Sequence, residues 1–457
     1  MLPLISHVRV CNFRSIREAD IELKPLTLLV GPNASGKSTI IYSIQWMILK
    51  AKNNPTLTSS IHSSERELLG VNAYEDLVFN RDLNKNWMGV ELTINIPEEL
   101  AEELDSFIER VNWEALGLAK PKLQRLTHGF KIGRNPRNEH DYELSTTIDG
   151  LTFTLRNWYN ALDQRYYYHL DALNRKVKRE GRKSCSLFDE LYLKAELGQD
   201  WEQLDNLIEA ILKRVRVYLV ERFPSPLISL RGVIPLDCPA SEGVKQDVGS
   251  QGRCTVEAAT YIYATRDMSV RAELQAMASF WFDKFGLKDF GAGVEGDRFK
   301  AGYKDLIGCN LPLAFGSYGH RQLATLIVQL TVSPRQSVIM VEEPEISLHP
   351  EAQALLPLLF ADVIKKHGKQ IIATTHSSIL ILALSDAVMG AEGYENVPRL
   401  NVEDIAVYEV RRGKDGATVI EPIELTKEGY PKGGIPSFVR VEKKLYERML
   451  SRLPEES

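Results

Sequence analysis

The sequence predicts an α/β protein, with a mixed or parallel sheet as its core and a largely helical insertion. Three observations lead there. An apolar strand, a glycine-rich turn and a helix follow one another over 26–50. Strand and helix alternate again over 317–385, the rhythm of a largely parallel sheet. Between them, 51–224 departs from simple alternation, and its later part repeats apolar residues at helical spacing.

The segments ISHVRV, ADIEL and LTLLV, the last ending at Val30, read as strands. Thr39–Lys50 reads as a helix. Residues 51–88 are mixed and polar, Gly89–Ile96 is strand-like, and Pro97–Val111 reads as an acidic helix. Asp141–Arg156 has the pattern of a hairpin turning at Asp149-Gly150. Residues 158–220 read as charged helices, with Trp201, Leu204, Ile208, Ile211, Val215 and Leu219 on one stripe. Too few heptads follow one another for a protruding coiled coil, so the stripe is expected to pack on its own domain. From about 225 the pattern returns to short strands and glycine-rich turns, with a helix near Ala272–Phe285. Ser317–Leu330, Pro350–Lys366 and Ser378–Ser385 read as helices around the strands Ser337–Val341 and Gln370–Thr374. From about Leu425 the chain is polar with one short helix. The expected division is a head built from 1–50 and 225–430, an insertion at 51–224 with a strand-rich part and helical, partly basic segments, and a tail at 431–457.

The 457 residues suffice for two lobes. A net charge of −5 excludes a wholesale polyanion binder, so any nucleic-acid contact must be local. Cys11, Cys185, Cys238, Cys254 and Cys309 lie far apart with no CxxC pair, which argues against a zinc site and a disulfide framework. No apolar run matches a membrane span, and the start lacks a secretion-signal pattern, so a cytoplasmic protein without a membrane partner is expected.

Four motifs carry chemistry. GPNASGKS, Gly31 to Ser38, fits G-x-x-x-x-G-K-[ST] between a strand and a helix. Glycines there let consecutive N–H groups wrap a phosphate, and the helix adds its positive end. Lys37 is placed to bridge β- and γ-phosphates, and the Ser38 hydroxyl to ligate Mg²⁺. SVIMVEEPE ends a buried strand on two carboxylates, Glu342 for Mg²⁺ and Glu343 for the attacking water. Alone it reads better as a strand running into a charged loop; the phosphate loop reverses that. His376, just after QIIAT, can reach a γ-phosphate; a lone histidine is more often structural. In FGSYGHRQ, Ser317 opens a helix where a further phosphate can sit, or merely caps it.

The order of these motifs resembles ABC-type ATPases of the SMC/RecF/OLD-like branch. VRVCNFRSIREADIEL before GPNASGKST resembles that branch's opening strands, VEEPEISLHP its Walker B and D-loop, SYGHRQ its signature and ATTHSS its switch-histidine segment. PLISLRGVIP and VGSQGRCTVEA are similar to it too. The resemblance covers roughly 1–50 and 225–430 and leaves 51–224 largely unplaced. It implies that Gly31, Asn33, Gly36, Lys37, Ser38 and Thr39 bind nucleotide, with Arg14 approaching it. It makes Ser38 and Glu342 the metal ligands, Glu343 the catalytic glutamate and His376 the switch histidine. It assigns Ser317, Gly319, Arg321 and Gln322 to a signature that meets the ATP of an opposite subunit, and Ile346 to His349 to the D-loop. The cofactors implied are ATP and Mg²⁺, and the assembly a homodimer or higher homo-oligomer.

The long separation of Ser38 from Ser317 suits the SMC-like branch better than transporter ATPases, and the missing heptad arms leave its compact members. OLD-like nucleases add a C-terminal nuclease domain. The tail here has no strand-borne acidic pair resembling one, so an effector, nuclease or toxin, is expected on a separate polypeptide. Stand-alone ATPases of this kind resemble sensor subunits of antiphage defence, such as the AriA and PtuA families. A second reading is a DNA-repair or DNA-clamping ATPase. It rests on two basic stretches: Lys120–Arg137, without an acid, and 164–184, with cations beside Tyr166–Tyr168. A third is an ATP-dependent binding switch that does not hydrolyse.

Overall fold

The computed structural model describes residues 2–52, 66, 69–83, 87–116, 120–134, 140–149, 151–160, 165–172, 175–181, 199–240, 243–305 and 307–450. Along the chain, β1 (Ile5–Phe13) and β2 (Ile16–Glu22) form a hairpin, and β3 (Leu26–Val30) leads through the glycine-rich loop into α1 (Lys37–Lys52). Next come β4 (Met88–Asn95), α2 (Glu98–Ile108), the short α3 (Trp113–Leu116), β5 (Arg125–Arg134), β6 (His140–Ile148), β7 (Leu151–Asn160), β8 (Arg165–Ala172), β9 (Arg175–Gly181) and α4 (Gln199–Arg222). The second half runs β10 (Cys238–Pro239), α5 (Thr255–Ala264), α6 (Met268–Lys284), β11 (Lys288–Glu295), β12 (Arg298–Lys304), β13 (Asn310–Pro312), α7 (Tyr318–Val332), β14 (Val338–Glu342) and α8 (Pro350–His367). It ends with β15 (Gln370–Thr375), α9 (Ser378–Leu382), α10 (Leu384–Met389), β16 (Ile405–Arg412), β17 (Thr418–Ile423) and α11 (Pro436–Leu450).

Three sheets result. An antiparallel sheet has the order β2-β1-β4-β5-β6-β7-β8-β9. A smaller antiparallel sheet has β12 between β10 and β11, with β13 also on β12. The central sheet has the order β14-β15-β3-β16-β17, parallel except for β17. The fold is thus α/β with a mixed sheet core.

The central strands are buried on both faces, and period-2 alternation divides them between two cores. Leu29, Val338, Met340 and Ile372 join a cluster with α1, α4 and the antiparallel sheet. Leu28, Ile339, Val341 and Ile371 join the opposite cluster with α5 to α8. In α4, Ile211, Val215 and Leu219 are buried in the first cluster, so this part of the helical stripe packs against the rest of the chain. Trp201, Leu204 and Ile208 have side chains outside the described residues.

The insertion is less helical than its sequence suggests. Among the described residues of 158–181 the expected helices are strands, the end of β7 with β8 and β9, and the described helix of this stretch begins at Gln199. The aromatic run Tyr166–Tyr168 favours strand. β9 ends the sheet, where Lys and Arg are the usual guard against edge pairing, so Arg175, Lys176, Lys178 and Arg179 fit a strand as well as a solvated helix. The hairpin turn at 149–150 falls where expected, with Ile148 paired to Leu151 and Asp149 at φ 45°. The helix expected over Ser378–Ser385 is broken at Ala383 into α9 and α10.

Trp46 of α1 is wholly buried, its ring 5.6 Å from Phe13 and 5.2 Å from Phe130. Trp46→Ala should therefore cost about 3–5 kcal/mol of stability. Urea unfolding would show this as a lower midpoint at unchanged slope.

Candidate functional site

Three parallel strands end level with one another. β14 pairs with β15 up to Glu342 opposite Thr374, and β15 pairs with β3 up to Thr375 opposite Val30. Gly31, Glu343 and His376 therefore leave the sheet side by side at its carboxyl edge, where open α/β sheets take ligands.

The loop from Gly31 to Ser38 is left-handed at Gly31 (φ 144°), Ala34 (φ 57°) and Gly36 (φ 110°). A methyl group on Gly31 would collide with the Val410 carbonyl, and one on Gly36 with the hydroxyls of Thr418 and Ser15. The loop thus rests on the β16–β17 hairpin. The Thr418 hydroxyl lies 2.9 Å from the Ser35 carbonyl and 2.8 Å from the Ser15 hydroxyl, and Arg412 Nε donates to Ala34 O at 2.8 Å. Asn33 is exposed, Ser38 is half-buried, and the buried Thr39 donates its N–H to Gly36 O at 3.1 Å. Lys37 Nζ donates to the carbonyls of Gly31 and Pro32, each at 2.9 Å. Burial pulls Lys37 down to about 8, against the pull of Glu343, Glu345 and Glu342.

Glu342 is buried. Its Oε2 accepts from Ser229 N at 3.4 Å and Ser229 Oγ at 3.3 Å, while its Oε1 has no protein hydrogen-bond partner. Glu343 sits at φ 45°, its N–H donating to Thr374 O at 2.9 Å. Its Oε1 lies 3.6 Å from His376 Nε2. Burial, then the charges of Glu345 and Glu342, raise the Glu343 carboxyl; Lys37 and Arg231 pull it back. Burial and Lys37 lower His376, which favours the neutral imidazole. Glu345 Oε1 accepts from Thr375 Oγ1 and from His376 N–H, both at 2.7 Å, and so pins the histidine's backbone to the carboxylate loop. Arg14, at φ 50°, holds its guanidinium 5.1 Å from the Tyr42 ring centroid; burial lowers its pKa, and Tyr42 and the Glu342 charge oppose the shift. Burial and the Glu342 charge push the Tyr42 phenol up to about 12.

The motif at 317–322 forms a neighbouring group. Ser317 is exposed and caps α7, its Oγ accepting from His320 N at 3.2 Å. Gly319 is buried; a methyl group there would lie 2.5 Å from the Ser347 carbonyl, in the loop that follows the carboxylates. Arg321 places its guanidinium 5.5 Å from the Tyr318 ring centroid, and Gln322 is wholly buried.

Gly31, Gly36, Lys37, Ser38, Thr39, Arg14, Glu342, Glu343 and His376 thus surround one edge of the sheet, and Ser317 stands at the surface nearby in sequence from the Gly319 contact. Sequence reasoning missed Ser15, Tyr42, Thr418, Ser229, Arg231 and Glu345. Tyr42 lies one helical turn beyond Ser38, a spacing that places both on one face of α1. Ser229 and Arg231 stand in PLISLRGVIP and Glu345 in VEEPE, segments whose positions were legible but whose contacts were not.

The basic stretch 120–137 is largely neutralised. Lys120 pairs with Glu109, Lys131 with Glu143 at 3.2 Å and Arg134 with Glu75, while Arg137 lies outside the described residues. Lys122 and Arg125 line a cleft of about 600 Å³ with Lys120, His7, Thr93 and the acid Asp149. The side chains of 164–184 lie outside the described residues. Among the described residues, no helix is long and apolar enough to cross a membrane.

The profile of the AAA ATPase domain family matches residues 4–214 and 268–381, more than half of the chain and including most of the insertion. An OLD nuclease of Thermus scotoductus is 23% identical over 384 residues, 82% of this chain. The chain spans 59% of that relative's length. Among solved structures, an Smc head domain with an extended coiled coil from Pyrococcus furiosus, bound to the C-terminal domain of ScpA, aligns with 98% of this chain and 100% of its own. Its sequence identity is 11% and its TM-score 0.45. The SMC head domain of Thermotoga maritima aligns with 93% of this chain and 100% of its own, at 12% identity and TM-score 0.37.

A phosphate-bearing ligand at the loop would favour the charged form of Lys37. Below pH 8 the lysine is already charged, so its contribution to affinity is flat. Above about 8 the ligand must charge it, and affinity should fall by up to tenfold per pH unit. Calorimetric titration with ATP from pH 7 to 9.5 checks this; a flat profile contradicts it.

Proposed function

The chain belongs to the AAA ATPase domain family, and from that premise we propose that it binds ATP with Mg²⁺, dimerises around it and hydrolyses it to ADP and phosphate. One observation carries the reading. The Glu343 carboxylate, raised by burial, lies 3.6 Å from His376 Nε2 at the strand edge shared with Lys37 and Glu342.

The residues fit both cofactors. Lys37 Nζ, resting on two loop carbonyls, would exchange them for β- and γ-phosphate oxygens. Gly31, Asn33, Gly36 and Thr39 would line the same phosphates, with Arg14 at their side. The Ser38 hydroxyl and the unpartnered Glu342 Oε1 would hold Mg²⁺, Glu342 through water. Bound there, Mg²⁺ neutralises phosphate charge as it shifts in the transition state. Glu343 accepts a proton from the attacking water, and its raised pKa brings it nearer the working pH that a general base needs. Neutral His376 orients against Glu343 on one side and the γ-phosphate on the other. One phosphate loop and one exposed Ser317 per chain favour a symmetric pair, in which each Ser317 meets the ATP of the opposite subunit. Arg321, beside the Tyr318 ring, and the wholly buried Gln322 would support the signature helix.

The biological reading we favour is a cytoplasmic sensor that regulates a separate effector, nuclease or toxin, in antiphage defence. Its support is the similarity to a protein named as an OLD nuclease. Co-purification of the tagged chain with the products of adjacent genes tests it; recovery of neither nuclease nor toxin with or without ATP would sink it. A second reading, a DNA-clamping ATPase, is favoured by Lys122 and Arg125 in their cleft.

Glu343→Gln should lower phosphate release by about 10²–10⁴-fold and trap an ATP-bound dimer on gel filtration. Unchanged turnover refutes the assignment, and wild-type chain that dimerises on ATP without releasing phosphate favours the non-hydrolysing switch. For DNA, the logarithm of the affinity should fall linearly with log salt concentration, and Lys122→Glu with Arg125→Glu should flatten that slope by about 2. An unaltered slope removes the cleft from the DNA reading.

A further inference from the structure

A cation lies at the centre of this site that the ATPase reading leaves without a task. Arg231 is fully buried. It follows the segment that runs along the free edge of β14, where Leu227 bridges Val341 and accepts the N–H of Glu342 at 2.7 Å. Its Nη1 donates to Glu342 O at 2.7 Å and Ile228 O at 3.3 Å. Its Nη2 donates to Glu343 O at 3.2 Å and Pro344 O at 3.1 Å. One guanidinium therefore spans three successive carbonyls, those of Glu342, Glu343 and Pro344. None of its hydrogen bonds goes to a carboxylate.

That pattern has a physical cost and a physical use. Burying a cation without a directly paired anion is expensive. Burial pulls Arg231 down to about 10, and the fields of Glu345, Tyr318, Glu343 and Glu342 hold it charged. The use is at Glu343, whose φ of 45° is a left-handed conformation that a residue with a Cβ adopts only under constraint. Carbonyls on either side of that strained residue are gripped by the same rigid fork, and a planar guanidinium grips two or three acceptors at once as an ammonium cannot. Gly232, φ 84°, carries the segment on to the signature helix: a methyl group there would lie 3.0 Å from Gln322 N.

We propose that Arg231 is a positioning residue: its buried guanidinium clamps the Glu342–Pro344 backbone so that the left-handed turn aims the Glu343 carboxylate at the water-activating position, and Gly232 ties that clamp to the helix behind Ser317. The proposal rests on the ATPase reading and deepens it. The hydrogen bonds of Arg231 go to backbone carbonyls, so it acts through the Glu343 backbone.

The test compares full-length wild type, Arg231→Lys, Arg231→Gln, Gly232→Ala and Glu343→Gln. ATP affinity is measured by calorimetry, kcat and KM by phosphate release, and folding by thermal melting. A displacement of about 1 Å at the reacting group can cost 10²-fold. Arg231→Lys and Arg231→Gln should therefore lose ten- to hundredfold in kcat while ATP affinity stays within about threefold. Lysine should fail to rescue, because it keeps the charge but not the fork. Gly232→Ala keeps the guanidinium and strains its anchor, and should lose kcat to a smaller degree; it stands as the test if both Arg231 variants unfold. Full activity of Arg231→Lys reduces the residue to a charge and overturns the proposal. So does a parallel loss of affinity and kcat, which marks a role in binding or folding, or wild-type kcat in Gly232→Ala when the Arg231 variants do not fold. Wild type that releases no phosphate, with Glu343→Gln indistinguishable from it, brings down the ATPase reading and this inference with it. Wild type active with Glu343→Gln inactive leaves the reading standing while the Arg231 variants decide the inference alone.

Discussion

The level ending of β14, β15 and β3 is the constraint on which the rest of the structure depends. Parallel pairing fixes Glu342 opposite Thr374 and Thr375 opposite Val30. Three loops far apart in sequence then begin at one height, and each inherits its direction from a strand buried on both faces. A shift of one residue in any of these registers would turn the side chains of that strand to the opposite core. Leu29, Val338 and Ile372 face one cluster while Leu28, Ile339 and Ile371 face the other, so such a slip would cost both cores at once. The site is accurate because two hydrophobic cores hold its strands in register.

On that edge the electrostatics balance tightly. Three carboxylates, Glu342, Glu343 and Glu345, approach one lysine and one wholly buried arginine. Each is satisfied differently: Glu345 by a hydroxyl and a backbone N–H, Glu342 in part by Ser229, and Glu343 by neither. Burial and the charges of its two neighbours raise the Glu343 carboxyl, as expected where an environment fits an acid to a distinct role. Glu345 looks like a spare acid in the sequence. In space it is the strap between the carboxylate loop and His376.

Much of the site was legible and much of the insertion was not, for one physical reason. The phosphate loop and the acidic strand end are local patterns whose meaning follows from a few adjacent residues. Their companions act across long sequence separations: Thr418 supports Gly36, and Arg231 grips Glu343. No spacing rule announces such pairs. In the insertion, charged residues at 158–181 satisfy a solvated helix and an antiparallel meander equally well. Pairing partners elsewhere in the chain decided for the meander, as context commonly overrides β propensity. Periodicity succeeded where one face is buried against a fixed core, as at Ile211, Val215 and Leu219.

The exposed Ser317 poses a final question of energetics, because its hydroxyl already has a partner in the His320 N–H. An N-cap of this kind is worth about 1 kcal/mol to its helix. A phosphate oxygen arriving at the same helix end would replace the hydroxyl as acceptor for the free N–H groups and add the attraction of the helix's positive end. The exchange trades a neutral hydrogen bond for a charge-assisted one, so engaging an anion here needs no unfolding of α7. The position of that helix end is not independent of the catalytic edge. Gly319 packs on the Ser347 carbonyl, three residues beyond Pro344, and Gly232 packs on Gln322 one residue after Arg231. Both contacts are with backbone at a glycine, where no side chain can flex to absorb a shift. A displacement of α7 by an approaching anion would therefore press on the loop that carries Glu343.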